Sequence, residues 1–174
     1  MCKIEIIMGG MFSGKSTELI RRVKRHAVIG KKVLVINSSK DTRSEHNVVR
    51  THDGTTWECL KMDHLYLVYP GDYDVIAIDE AQFFSNLKEF VCTLLKFPQL
   101  HVIIAGLDGD SNQQPFGDLL WLIPVADEVQ KFCALCMECC DGTPGPFSKR
   151  LVASKEQELV GDSHVYHAVC RKHL

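Results

Sequence analysis

Three stretches of this 174-residue chain combine residue types that can do chemistry. The first is residues 9–17, Gly-Gly-Met-Phe-Ser-Gly-Lys-Ser-Thr. Gly9, four residues, then Gly14-Lys15-Ser16 fits the phosphate-loop pattern G-x-x-x-x-G-K-[ST]. Gly9 and Gly14 permit backbone angles that a side chain forbids, so the loop can curl and aim its N–H groups at one anion. The run Gly9, Gly10, Met11, Phe12, Ser13, Gly14, Lys15, Ser16 and Thr17 is therefore a candidate cradle for the phosphates of a nucleoside triphosphate. Lys15 supplies a charge to the β- and γ-phosphates, and Ser16 a hydroxyl to Mg²⁺. The bland alternative, a glycine-rich turn with a solvated lysine, fits the flanks poorly.

The second stretch is Asp79-Glu80, directly after the apolar run Val75-Ile76-Ala77-Ile78. An acid at the carboxyl end of a buried strand can serve Mg²⁺ beside a phosphate loop. Its neighbour Glu80 can take a proton from an attacking hydroxyl or support the metal. The third is Cys136-x₂-Cys139 followed, after 30 intervening residues, by Cys170-x₂-His173. Two close pairs of soft ligands fit tetrahedral Zn²⁺, and four protein ligands make such a site structural. Cys133 forms a rival pair with Cys136, and spacing alone does not choose between them.

These residues need elements to hold them. Ile4–Met8 reads as a buried strand entering the phosphate loop, and Thr17–Ile29 as the helix leaving it, stopped by Gly30. Lys32–Ile36, Val75–Ile78 and His101–Ala105 read as further strands, and Leu87–Phe97 as a helix closed by Pro98. Strands alternating with helices predict an α/β fold, a parallel sheet flanked by helices on both faces. Residues 37–57 are polar and without sustained periodicity, and read as a partly mobile connection. From about Cys133 the chain changes character, so two units are expected: 1–132, the nucleotide-binding α/β domain, and 133–174, a small zinc-binding domain. The second is too small for a core of its own and needs a staple. The long loop between its cysteine pairs reaches toward something.

Composition narrows the classes. A net charge of −2 and a hydrophobic share of 45% describe a globular protein without the basic field of a nucleic-acid track. No apolar run approaches the ~20 residues of a membrane helix, and no signal-peptide pattern opens the chain. Eight cysteines beside a nucleotide site read as a reduced, intracellular set rather than a disulfide scaffold.

Together GGMFSGKSTELIRR, KDTR, THD, IDEAQFF, AGLDGD with QPFG, CMEC, FSKRL and YHAVCR resemble the type II thymidine kinases, the cellular, bacterial and poxviral kind. The resemblance runs through almost the whole chain. It implies transfer of the γ-phosphoryl of ATP to the 5′-hydroxyl of thymidine, with Glu80 as catalytic base. It further implies Ser16, Asp41 and Asp79 serving Mg²⁺, and Arg43 and Arg150 facing the phosphates. The long loop resembles a lasso that closes over thymine near Leu159, Val160 and Gly161. Met11, Leu107, Ser148 and Tyr166 are implied to line the base pocket, with Phe83 and Phe116 packed around it. The match to CMEC implies the zinc set Cys136, Cys139, Cys170 and His173. A cytoplasmic homotetramer, feedback inhibition by thymidine triphosphate, and neither nucleic acid nor membrane as partner complete what the resemblance implies. His52 and Asp53 of THD read as turn formers.

The chain departs from the family pattern in three places. Ser111-Asn112-Gln113-Gln114 follows AGLDGD where the family usually has an aromatic and then basic residues. His173 stands where a cysteine is common. The sequence ends at Leu174 without the tail of vertebrate relatives, which points to a viral, bacterial or protist source, or to a shortened chain. The competing readings are another zinc-lidded nucleoside or nucleotide kinase, a nucleic-acid-stimulated ATPase, and a non-catalytic zinc-stabilised ATP-binding module.

Overall fold

A computed structural model describes residues 1–42, 47–51, 54–154 and 156–174. Arg43, His52 and Asp53 lie outside the described residues. The chain opens with strand β1 (Lys3–Gly9), helix α1 (Lys15–Val28) and strand β2 (Val33–Ser38). A hairpin of β3 (Val48–Arg50) and β4 (Thr56–Glu58) follows, then β5 (Leu60–Met62), β6 (Val75–Ile78), helix α2 (Leu87–Leu94), β7 (His101–Gly106) and β8 (Glu128–Phe132). Among the described residues, six strands form one sheet in the order β5-β2-β6-β7-β1-β8, every pairing parallel.

Both faces of the sheet are covered, which is why its central strands read as unbroken apolar runs. Alternate residues point to opposite faces. Ile7, Val35, Ala77, Ile103 and Ala105 pack under Leu19, Ile20 and Val23 of α1. Ile4, Ile6, Ile36, Ile76, Ile78 and Ile104 pack under Phe84, Leu87, Phe90, Val91 and Leu94, with Leu119 and Leu122 closing that side. The helices are thus on both faces, as periodicity predicts.

Two helix ends need correction, and two stretches hold strands that the sequence did not show. Helix α1 begins at Lys15, not Thr17, because the loop runs straight into it; the Glu18 N–H already donates to the Gly14 carbonyl at 3.0 Å. Helix α2 ends at Leu94, not Phe97: Lys96 and Phe97 bond three residues back, to Thr93 and Leu94, tightening the last turn ahead of Pro98. Residues 37–57 contain the β3–β4 hairpin, with Val49 buried and Trp57 packed on the α1 side of the core. Strands of three residues are too short to show a period. Strand β8 escapes sequence reading because it is an exposed sheet edge, so Glu-Val-Gln-Lys-Phe carries no apolar run.

One charge in the core has a measurable consequence. Glu5 on β1 is buried, with Lys3 Nζ and Arg22 Nη1 each 2.5 Å from its oxygens and His101 Nε2 at 2.9 Å. Facing His101 first, then Lys3 and Arg22, its carboxyl is held far below the usual range although burial opposes this. Glu18, bonded to Arg21 and Arg22, is lowered to about 2. A depressed carboxyl contributes stability above its unfolded value of about 4.3 and loses it as pH falls toward the folded value. Unfolding free energy should therefore drop steeply below about pH 4.3. Glu5→Gln should cost about 1–3 kcal/mol at pH 7 and flatten that acid slope. Urea titrations from pH 3 to 7 measure both; an unchanged slope in the variant would refute the assignment.

Candidate active site

The phosphate loop leaves β1 at the carboxyl end of the sheet, where open α/β sheets bind ligands. Gly9 sits at φ +145°, and a Cβ there would meet the Phe132 carbonyl of β8 at 2.2 Å, so only glycine lets β1 turn into the loop. Gly14 is left-handed at φ +87° and caps α1. The Gly10 carbonyl accepts from Ser13 Oγ (2.8 Å) and Lys15 Nζ (2.7 Å), which tethers the buried ammonium to the loop.

Strand β7 lies between β1 and β6, so the acidic pair reaches the loop across one intervening strand. Asp79 is 2% exposed. Glu80 turns outward at φ +50°, an unusual angle for a side-chain-bearing residue. Its Oε2 accepts from Gln82 Nε2 at 2.6 Å, while Gln82 Oε1 accepts the Leu107 N–H at 2.9 Å. Gln82 is 3% exposed and locks Glu80 to the end of β7. Asp41 is also buried and accepts from Asn37 Nδ2 at 3.0 Å.

The carboxyl-terminal unit is two small antiparallel ribbons. β9 (Ala134–Leu135) pairs with β10 (Pro144–Gly145), and β11 (Phe147–Arg150) with β12 (Tyr166–Val169). Cys136 and Cys139 follow β9; Cys170 and His173 follow β12. Their ligand atoms lie within 4.8 Å of one another. The separations of Cys136 Sγ, Cys139 Sγ and Cys170 Sγ from His173 Nδ1 are 3.7, 3.4 and 3.4 Å, and Cys139–Cys170 is 3.8 Å. A zinc tetrahedron has edges of ~3.8 Å between sulfurs and ~3.5 Å from sulfur to nitrogen, so the cluster can hold zinc. Burial works against a Cys136 thiolate, but N–H groups from Cys170 (3.2 Å) and Cys139 pull the thiol down to about 6. Burial and the neighbouring Cys136 and Cys170 push Cys139 up to about 11. One thiolate resists the next, the imbalance a divalent cation removes. Cys133 is exposed and bonds Ala134 O, so the rival pair is set aside. All eight cysteines are free thiols.

One cleft joins the two units. Met11–Thr17, Asp41 and Glu80 line it together with Phe83, Leu107, Phe116, Ser148, Leu159, Val160, Gly161 and Tyr166. Phe83 and Phe116 meet edge to face with centroids 5.7 Å apart. Ser148 Oγ accepts the Met11 N–H at 2.9 Å, and the Tyr166 hydroxyl donates to the Leu159 carbonyl at 2.8 Å. Every residue that the resemblance assigns to the base pocket lines this cleft. Gly9 and Gly10 support the loop from behind, Gly10 facing Pro146 and Ser148. Arg150 is not brought to the phosphate loop. Its guanidinium donates to the carbonyls of Ser154, Glu156 and Gln157 and stacks over Tyr166, so its donors tie down the lasso instead. Sequence reasoning missed Gln82, Asp110 and Gln157, which also line the cleft. Gln82 had a signal, two residues after Glu80. Asp110 and Gln157 had none, because their partnership crosses 47 positions.

Comparison with known proteins agrees with this geometry. The family model described as thymidine kinase matches residues 2–174. Thymidine kinase a of Arabidopsis thaliana is 43% identical over 98% of this chain and 74% of its own length. The cytosolic thymidine kinase of Homo sapiens is 44% identical over 97% of this chain and 71% of its own, and the thymidine kinase of Vaccinia virus (strain Western Reserve) 42% over 97% and 94%. No helix among the described residues is long and apolar enough to cross a membrane. A phosphate loop and Glu80 lining one cleft, a metal-ligand cluster in the carboxyl-terminal unit, and kinship along nearly the full length of this chain lead to one conclusion: the chain belongs to the thymidine kinase family.

Proposed function

We propose that this protein transfers the γ-phosphoryl of ATP to the 5′-hydroxyl of thymidine. The observation that supports the reading is one cleft whose lining includes Lys15, Ser16 and Glu80 as well as Leu159, Val160, Gly161 and Tyr166. ATP lies with its phosphates on the N–H groups of residues 10–17, and Lys15 draws charge from the β- and γ-oxygens. Ser16, Asp41 and Asp79, a hydroxyl and two buried carboxylates, would hold Mg²⁺, which would neutralise charge on the triphosphate. Glu80 accepts the 5′-hydroxyl proton. Met11, Leu107, Phe83 and Phe116 surround the base, and the lasso carbonyls and N–H groups read its edge. Residues 1–132 act as the nucleotide-binding domain and 133–174 as the zinc-anchored lasso domain. Arg43 remains a candidate phosphate ligand. Arg150 serves the phosphates only if the lasso carbonyls release it.

Kinship adds a homotetramer, feedback inhibition by thymidine triphosphate and a cytoplasmic setting to the same proposal. Incubation with γ-labelled ATP and Mg²⁺ tests it. Label should pass to thymidine, not to thymidine monophosphate, and single-stranded DNA should not stimulate hydrolysis. Transfer to a nucleoside monophosphate instead would make the chain a nucleotide kinase; DNA-stimulated hydrolysis alone would make it an ATPase.

A further inference from the structure

The lasso, residues 151–165, is held mainly from within its own unit. Arg150 of β11 bonds its carbonyls, and the Tyr166 hydroxyl of β12 bonds Leu159 O. Among the described residues, two side-chain pairs cross to the nucleotide-binding unit, beside a longer bond from Gln157 Nε2 to the Pro115 carbonyl at 3.4 Å. Lys40–Glu158 is an exposed ion pair at 2.7 Å, with both side chains nearly half exposed, and such pairs hold little. The other is different. Gln157 Nε2 donates to Asp110 Oδ2 at 2.8 Å, and Asp110 is 8% exposed. Asp110 Oδ1 meanwhile accepts the N–H groups of Asn112 (2.8 Å) and Gln114 (2.9 Å), fixing the turn that carries Ser111. One carboxylate therefore organises both the cleft wall after β7 and the loop that closes over it.

We infer that Asp110 and Gln157 form a clasp that holds the lasso shut over the nucleoside end of the cleft, making them positioning residues for nucleoside binding. The inference rests on the reading that the cleft takes a nucleoside. A hydrogen bond to an ionised acceptor is stronger than a neutral one, and partial burial shields it from competition by water. The carboxylate also fixes the amide orientation, since a flipped Gln157 would set Oε1 against Oδ2. The clasp sits directly beside Ser111, where the chain departs from the family's aromatic-then-basic pattern. Without it the lasso is free to open, and each nucleoside must close it at its own expense in affinity.

A reversal of the pair tests this on the full, zinc-loaded protein. Gln157→Glu sets two carboxylates face to face. Asp110→Asn in that background rebuilds the bond with the donor on the other side, because the oxygen of the introduced amide can still accept from residues 112 and 114. At pH 7.5, Gln157→Glu should speed amide hydrogen exchange in residues 156–161 about tenfold and raise KM for thymidine about tenfold, with KM for ATP within twofold. The double variant should return both within about threefold of the unsubstituted protein. Unaltered exchange in Gln157→Glu, or a double variant no better than the single, overturns the clasp. Exchange needs no substrate: a chain that ignores thymidine yet shows the exchange pattern refutes the functional reading and leaves the clasp standing.

Discussion

Replacing Glu80 by glutamine is expected to lower kcat for thymidine phosphorylation about 10²–10⁴-fold while ATP affinity changes less than twofold. The substitution keeps volume and hydrogen-bonding reach and removes only basicity. The local structure shows how closely the carboxylate is aimed. Asp79 N–H donates to Ile36 O at 2.8 Å, closing β6, and the chain then turns through Glu80 in a left-handed conformation that costs roughly 1–2 kcal/mol for a residue with a side chain. That strain is held by the following turn, Phe83 N–H to Glu80 O at 3.1 Å, and by Gln82. Phosphoryl transfer spreads charge over equatorial oxygens and asks little covalent chemistry of the protein, so the cations at the loop stabilise the transition state and the base removes one proton late. Titration calorimetry with a non-hydrolysable ATP analogue and steady-state kinetics separate the two roles. Lost ATP affinity with turnover per bound ATP intact would make Glu80 a metal or phosphate residue instead of the base.

How much of this was legible in sequence depends on where each element stores its information. The phosphate loop was readable because its constraint is local: Gly9 and Gly14 are required by backbone geometry within the motif itself. The central strands were readable because burial on both faces leaves them largely apolar, Glu5 of β1 excepted. Strand β8 was not, since an exposed edge needs no apolar residue, and β3 and β4 were too short. The zinc set came from spacing plus family likeness; geometry then removed Cys133 by leaving it exposed. The present partners of Arg150 were not legible, for a physical reason. A guanidinium near three backbone carbonyls satisfies itself locally, and nothing in the residues Phe-Ser-Lys-Arg shows that the chain folds back over them. Gln82 was visible as a letter but not as a bridge, because its second partner, the Leu107 N–H, lies 25 positions on.

Stripping the metal from the cysteine–histidine cluster is expected to abolish nucleoside binding before ATP binding. The ribbons that carry the lasso are two- and four-residue strands, and their buried side chains, among them Ala134, Ser148, Tyr166, Ala168 and Val169, are too few to hold them by packing alone. A zinc held by the cluster would join the end of β9 to the end of β12, and both ends of the lasso descend from that junction through β11 and β12. Without it the thiolates would repel and the ribbons separate, and Leu159–Gly161 would lose the position from which the proposed mechanism has them meet the base. The phosphate loop, by contrast, is anchored in β1 and α1, and among the described residues Gly10 and Met11 meet the second unit at Pro146 and Ser148. Chelation of the reduced protein, or Cys170→Ala, should therefore weaken thymidine binding at least about 100-fold while an ATP analogue binds within a few-fold of normal. Metal analysis should return one zinc per chain, and re-addition of zinc should restore nucleoside binding to the chelated protein but not to Cys170→Ala. Reduced protein that carries no zinc yet binds thymidine would show that the lasso stands without a staple, and simultaneous loss of both ligands would show that the cluster supports the whole fold rather than the lasso.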